Sequence, residues 1–158
     1  MKAREVSGLD ADADLAQAAR LIISVRAEEL FAFAPTALEP QNSKALHDMR
    51  IAAKRLRYVL ELVGFCVPTI AAEAELAARE LQSLIGAIHD HDVLLERICA
   101  TGAMAKKGIR RLTERVQSRR DARFAEFTTL WRALEASDLR GRIVAATCYA
   151  PNGAGSSA

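Results

Sequence analysis

The chain has 158 residues, 51% of them apolar, and 22 lysines and arginines stand against 20 acidic residues. That length forms one domain with a real hydrophobic core and needs neither disulfides nor a structural metal. Abundant alanine and leucine with only 5% aromatic residues argue against a sheet built on ring packing, and no uncharged run approaches the roughly 18 residues that span a bilayer.

Residues 12 to 33 place Leu15, Ala18, Ala19, Ile22, Val25, Leu30 and Phe33 at helical spacing, with Glu28 and Glu29 outward, which predicts a first helix. Pro35 and Pro40 end it, and Asn42 and Ser43 offer caps for a second helix from about Lys44 to Phe65, closed by Gly64 and Pro68. Thr69 stands where it can cap a third, with Glu73 and Glu75 in the early turns that favour acids. Gly86 interrupts the third pattern without ending it. The stretch TGAMAKKG, residues 101 to 108, separates it from a fourth helix ending near Ala136, and ASDLRGRIVAATCYA offers a short fifth. The expected fold is therefore all-α, an antiparallel four-helix bundle with a short C-terminal fifth helix. One domain is expected over residues 1–150, and PNGAGSSA at 151–158 has nothing to bury and is expected to be disordered.

Cys66, Cys99 and Cys148 form a widely spaced set without a CxxC pair and read as buried small hydrophobes in a reducing compartment. Met1 to Leu9 lacks the apolar core of a secretory signal, so a cytoplasmic protein without a membrane partner is expected.

The net charge is only +2, but its distribution is uneven. Five Lys or Arg face one acid between Lys44 and Arg57, and eight face two between Lys106 and Arg123. Such blocks attract anions whatever the total charge. On the second helix, Met49, Ala52, Leu56, Val59, Leu60 and Val63 make a core stripe. His47, Arg50, Lys54 and Arg57 stack along the opposite side over about 15 Å, with Tyr58 close by and Arg55 to one side. Glu61 is the acid placed to relieve their repulsion. The fourth helix repeats the design, with Leu112, Val116, Phe127, Leu130, Trp131 and Leu134 as core and Lys107, Arg111, Arg115 and Arg119 as a second basic row. If the rows converge they line a cationic channel. A linear phosphate polymer needs such a row and no base-reading donors. Nucleic acid, held by its backbone, ranks below it because no exposed aromatic series for stacking bases is evident.

The segment HDHD, residues 89 to 92, sets His89, Asp92 and Glu96 on one face, a spacing open to a divalent metal. Salt bridging from Asp90 or Asp92 to a neighbouring guanidinium is the better reading. The pairs His47-Asp48 and His89-Asp90 keep open a metal-dependent phosphohydrolase, although such chemistry asks for several ligands around a metal that activates water. A third reading is a basic protein-protein interaction module. No Ser-His-Asp or Cys-His arrangement is present, so neither a catalytic residue nor a cofactor is assigned.

The segment LHDMRIAAKRLRYVLEL resembles the signature of the CHAD family, the conserved histidine α-helical domain, and LQSLIGAIHDHDVLLERI resembles its second characteristic segment. The resemblance implies a non-enzymatic helical protein whose basic surface binds inorganic polyphosphate, in some members at polyphosphate granules. It makes His47 the signature histidine and Arg50, Lys54, Arg55 and Arg57 the basic residues that follow. Asp90 and Asp92 match the acids of the second segment, while His89 replaces a basic residue and makes binding there more dependent on pH. Family domains commonly contain two similar bundles, and this chain has one unit, so a homodimer is one way to rebuild the whole. The ligand-binding set is His47, Arg50, Lys54, Arg55 and Arg57 with Lys107, Arg111, Arg115 and Arg119.

Overall fold

A computed structural model describes residues 2–10, 12, 14–102 and 106–148. Among them the helices are α1 (Leu15–Phe31), the single turn α2 (Ala34–Ala37), α3 (Ser43–Val63), α4 (Ala71–Ala100), α5 (Lys107–Ala136) and α6 (Leu139–Thr147). A 3₁₀ turn occupies Gly64–Cys66, and no strand occurs among the described residues. The fold is an all-α bundle in which α4 packs against both α3 and α5, while α1 packs on α3 and α6. The tail expected to be disordered, 151–158, and the last two residues of the expected domain lie outside the described residues.

Short polar side chains start three of the helices by accepting from otherwise unpaired amides. Asp14 accepts from the Ala16 amide at 2.5 Å, and Asn42 accepts from the Ala45 amide at 3.0 Å. Asp138 sits at a positive φ of 48° and accepts from Gly141 N–H at 3.2 Å. A β-carbon at position 141 would collide with that carboxylate, so a larger residue there would displace the capping side chain. Thr69 does not cap α4, whose first residue follows Ile70 and has no side-chain cap. The helix runs through Gly86 without interruption.

The core forms where the apolar stripes meet. Met49, Ala52, Leu56 and Leu60 of α3 are buried against Ala74, Ala78, Leu81, Ile85 and Ile88 of α4, and Phe127 and Trp131 close the cluster from α5. Val59, Val63, Leu130 and Leu134 pack at its edge. The alanines let the helix axes approach, and Phe31 meets Trp131 with ring centroids 5.3 Å apart.

Several expectations need correction. Leu112 is 45% exposed and Leu15 is also exposed. Both lie near the starts of their helices, beyond the reach of the main core. Cys99 and Cys148 are exposed and Cys66 is half-buried, so the cysteines are not buried small hydrophobes; all three are free thiols. Glu29 is only 5% exposed rather than outward. Its carboxylate accepts from Arg26 and Arg55 guanidinium groups, each at 2.6 Å, and from the Arg4 amide at 3.3 Å. Flanked by two cations and hydrogen-bonded, a carboxylate is tolerated inside. Around the periphery, Arg142 forks onto Glu73 at 2.5 and 2.7 Å and ties α6 to α4. That hydrogen bond holds the Glu73 carboxyl below the usual carboxylate range.

Removing the Glu29 carboxylate leaves Arg26 and Arg55 as mutually repelling, partly buried charges. Glu29→Ala is expected to lower stability by about 3 kcal/mol, the cost of breaking a buried ion pair from one side, as read from the urea midpoint at constant m-value.

Candidate functional site

Antiparallel packing brings the basic row of α3 to the seam with α4. His47 faces His89, with ring centroids 5.6 Å apart. One turn further along α3, the guanidinium of Arg50 lies over Gly86. A β-carbon built at position 86 would stand 3.3 Å from Arg50 Nε, a tight contact. The glycine thus lets the guanidinium rest over α4, where a β-carbon would make it give by a few tenths of an ångström. Arg50 and Arg57 then line a cleft of about 440 Å³ together with Arg79, Gln82, Ser83, Gly86, Ala87 and Asp90 of α4. Seven residues separate Arg50 from Arg57, so the cations are spread over about 10 Å of helix.

Electrostatics in the cleft favour an anion. Three guanidinium groups and one carboxylate line it. Arg50 Nε and Arg57 Nε are buried without a hydrogen-bond partner among the described residues. Gln82 Oε1, which lines the same cleft, is likewise buried without a partner, so the seam holds both donors and an acceptor, and it is the outer guanidinium nitrogens that a ligand in the cleft can reach. The Arg57 head is only loosely engaged, with Nη1 3.7 Å from Glu61 and its guanidinium carbon 4.8 Å from the Tyr58 ring centroid. Arg79 is paired with Glu75, one turn back on the same helix.

Not every residue of the expected set reaches this place. Lys54 is exposed on the outer side of α3, 5.5 Å from the Tyr58 ring centroid, and His47 is exposed at the end of the seam. Arg55 turns toward α1 and is held by Glu29. Lys107, Arg111, Arg115 and Arg119 are all exposed on α5, away from the stripe Val116, Arg120, Phe124, Phe127 and Trp131 that it buries. Because α3 and α5 each pack on α4, the residues lining the cleft come from α3 and α4 alone. Arg79, Gln82 and Ser83 escaped the sequence reading. Their signal is the polar strip 79, 82, 83, 86, 90 at helical spacing, which ordinary amphipathicity also produces.

The HDHD segment divides its labour. Asp92 Oδ1 accepts from Arg120 Nε at 2.6 Å, the cross-helix salt bridge expected of Asp90 or Asp92. Arg120 is itself only 6% exposed and donates from Nη2 to the Pro40 carbonyl at 2.6 Å, which pins the segment before α3 to the α4–α5 pair. Asp90 enters the cleft at the end nearest His47, and Asp48 binds Lys44 at 3.0 Å. Among the described residues, no group of three or more His, Cys, Asp or Glu side chains is placed to hold a metal ion. No helix among them is long and apolar enough to cross a membrane.

Comparison with known proteins returns one family, the CHAD domain, matched over residues 21–155. No curated protein and no solved structure matches the chain. The match spans all of α2 through α6 and includes both sides of the cleft. CHAD domains are generally non-catalytic, and family identity supports a general role in binding phosphate or other polyanions. The chain belongs to the CHAD domain family.

Proposed function

We propose that the chain binds inorganic polyphosphate, or a closely related phosphate-rich polyanion, without catalysing its turnover. The observation that carries this reading is the convergence of three guanidinium groups, those of Arg50, Arg57 and Arg79, with a single carboxylate, Asp90, in one cleft. A guanidinium offers a planar fork to phosphate oxygens, and a row of forks suits a ligand whose charges repeat. Arg50, Arg57 and Arg79 hold the polymer in the cleft, with Lys54 adding charge at its outer edge and His47 a ring nitrogen for hydrogen bonding. Lys107, Arg111, Arg115 and Arg119 form a second, exposed contact row on α5. The metal-dependent reading has no comparable support, because Asp48 and Asp90 serve different surroundings and no ligand group forms among the described residues.

Calorimetric titration with long-chain polyphosphate at two salt concentrations tests the proposal, with light scattering to read the assembly state. Saturable binding that weakens steeply with salt is expected. The triple variant Arg50→Ala, Lys54→Ala, Arg57→Ala should lose most of the affinity and keep its helical circular dichroism. Retained affinity in that variant would remove the α3 row from the site.

Gly86→Ala gives an orthogonal check. Alanine favours the helix by about 1 kcal/mol over glycine, so thermal stability should hold or rise. The new methyl group lifts the Arg50 guanidinium from its seat, so polyphosphate affinity should fall. In an Arg50→Ala background the same substitution should stabilise by the full increment and leave the residual affinity unchanged, a coupling that a double-mutant cycle measures.

A further inference from the structure

Two aromatic rings stand in solvent beside the cleft. Tyr58 is 49% exposed on the outer face of α3, bracketed by the Arg57 guanidinium carbon at 4.8 Å and Lys54 Nζ at 5.5 Å from its ring centroid. Phe65 is 68% exposed in the 3₁₀ turn that follows α3. Phe65 stands seven positions after Tyr58, beyond the end of α3 at Val63. The large rings of α5 behave differently, since Phe124, Phe127 and Trp131 are all buried. Sequence periodicity alone did not show an exposed aromatic series, and the structure supplies one next to the basic row.

An inorganic phosphate chain has no flat apolar group to lay on such rings. A nucleotide carries both parts in one molecule, a phosphate for the guanidinium row and a base for the ring. We propose that the outer lip of the cleft binds nucleotide phosphates, with a base stacked on Tyr58 while its phosphates engage Arg50 and Arg57. This rests on the polyanion reading of the same cleft and adds a second ligand class to it. Cations already stacked on Tyr58 reinforce the choice, because they sit where phosphates flanking a stacked base need neutralising. Phe65 then offers a second exposed ring to a strand. A lone mononucleotide uses Tyr58 only.

The test compares four probes on the full chain: oligothymidylate, an abasic deoxyribose-phosphate strand of equal length, ATP, and tripolyphosphate. Long-chain polyphosphate serves as the reference for the cleft itself. The oligothymidylate is expected to bind about fivefold or more tighter than the abasic strand, in line with base stacking on one aromatic ring. Tyr58→Ala should abolish that difference while leaving polyphosphate affinity unchanged, and Tyr58→Trp should restore it. A Phe65→Ala effect on the strand but not on ATP identifies the strand as the preferred source. A preference for ATP over tripolyphosphate that Phe65→Ala does not touch identifies the mononucleotide. Equal binding of based and abasic probes, with polyphosphate binding intact, overturns this inference and leaves the polyanion reading standing. Failure of every probe, polyphosphate included, overturns both. Exposure of both rings makes a folding defect unexpected, and circular dichroism of each variant checks it.

Discussion

The close approach of α3 and α4 at Gly86 sets the character of the molecule. The Arg50 guanidinium lies over position 86, where a β-carbon would stand 3.3 Å from its Nε, above an alanine-rich seam. Were Arg50 forced outward, the cation row would spread into solvent, where screening makes each charge weak. Held at the seam, two Nε donors are removed from water and left without protein acceptors. The packing that forms the bundle thus also prepares the cleft. Fold and site share one constraint.

Arginine appears throughout the structure, and what lies across from each one decides its role. Glu29 neutralises Arg26 and Arg55, Asp92 neutralises Arg120, and Glu28 and Glu73 hold Arg140 and Arg142. All but the Arg26–Glu29 pair join different helices, most plainly where Arg120 reaches both α4 and the Pro40 carbonyl. Arg50 has no ion-pair partner among the described residues, and Arg57 has only a loose one. Arg55 and Arg57 are two positions apart on one helix, yet they look onto α1 and α4 respectively. Alike in sequence, they are divided by about 200° of helical rotation.

That division explains how far the sequence could be read. Periodicity identifies which residues point inward, so the stripes of α3 and the burial of Trp131 were legible, as was a guanidinium partner for Asp92. It does not say which neighbour an outward-tilting side chain meets. Glu29 looked solvent-facing because Arg55 lies 26 positions away, and only the packing of α1 on α3 brings them together. Arg79 drew no attention in the sequence, and only the packing of α4 on α3 sets its strip beside Arg50. Leu112 looked like core because its spacing is right. However, α4 and α5 have 30 residues each and α3 has 21, so the α4–α5 pair outruns its support. Beyond that point Ile98 and Val116 are buried outside the main cluster, and a correctly spaced leucine finds no third helix to cover it.

Helix order also bears on how a polymer is held. With α4 between them, the rows of α3 and α5 do not share one groove among the described residues. On the proposed polyanion reading they are two linked sites on one body. A short anion fits the cleft and gains nothing from α5, whereas a chain long enough to pass around α4 meets the second row at high effective concentration. Affinity in that arrangement rises with chain length in a step, once the span between rows is covered, and then levels off. A continuous channel behaves otherwise, gaining with each added phosphate along its length. On the proposed polyanion reading, the segregation of charge into two blocks, separated in sequence by α4 with its six acids and two arginines, favours long polymers over short ones without requiring the two rows to face each other.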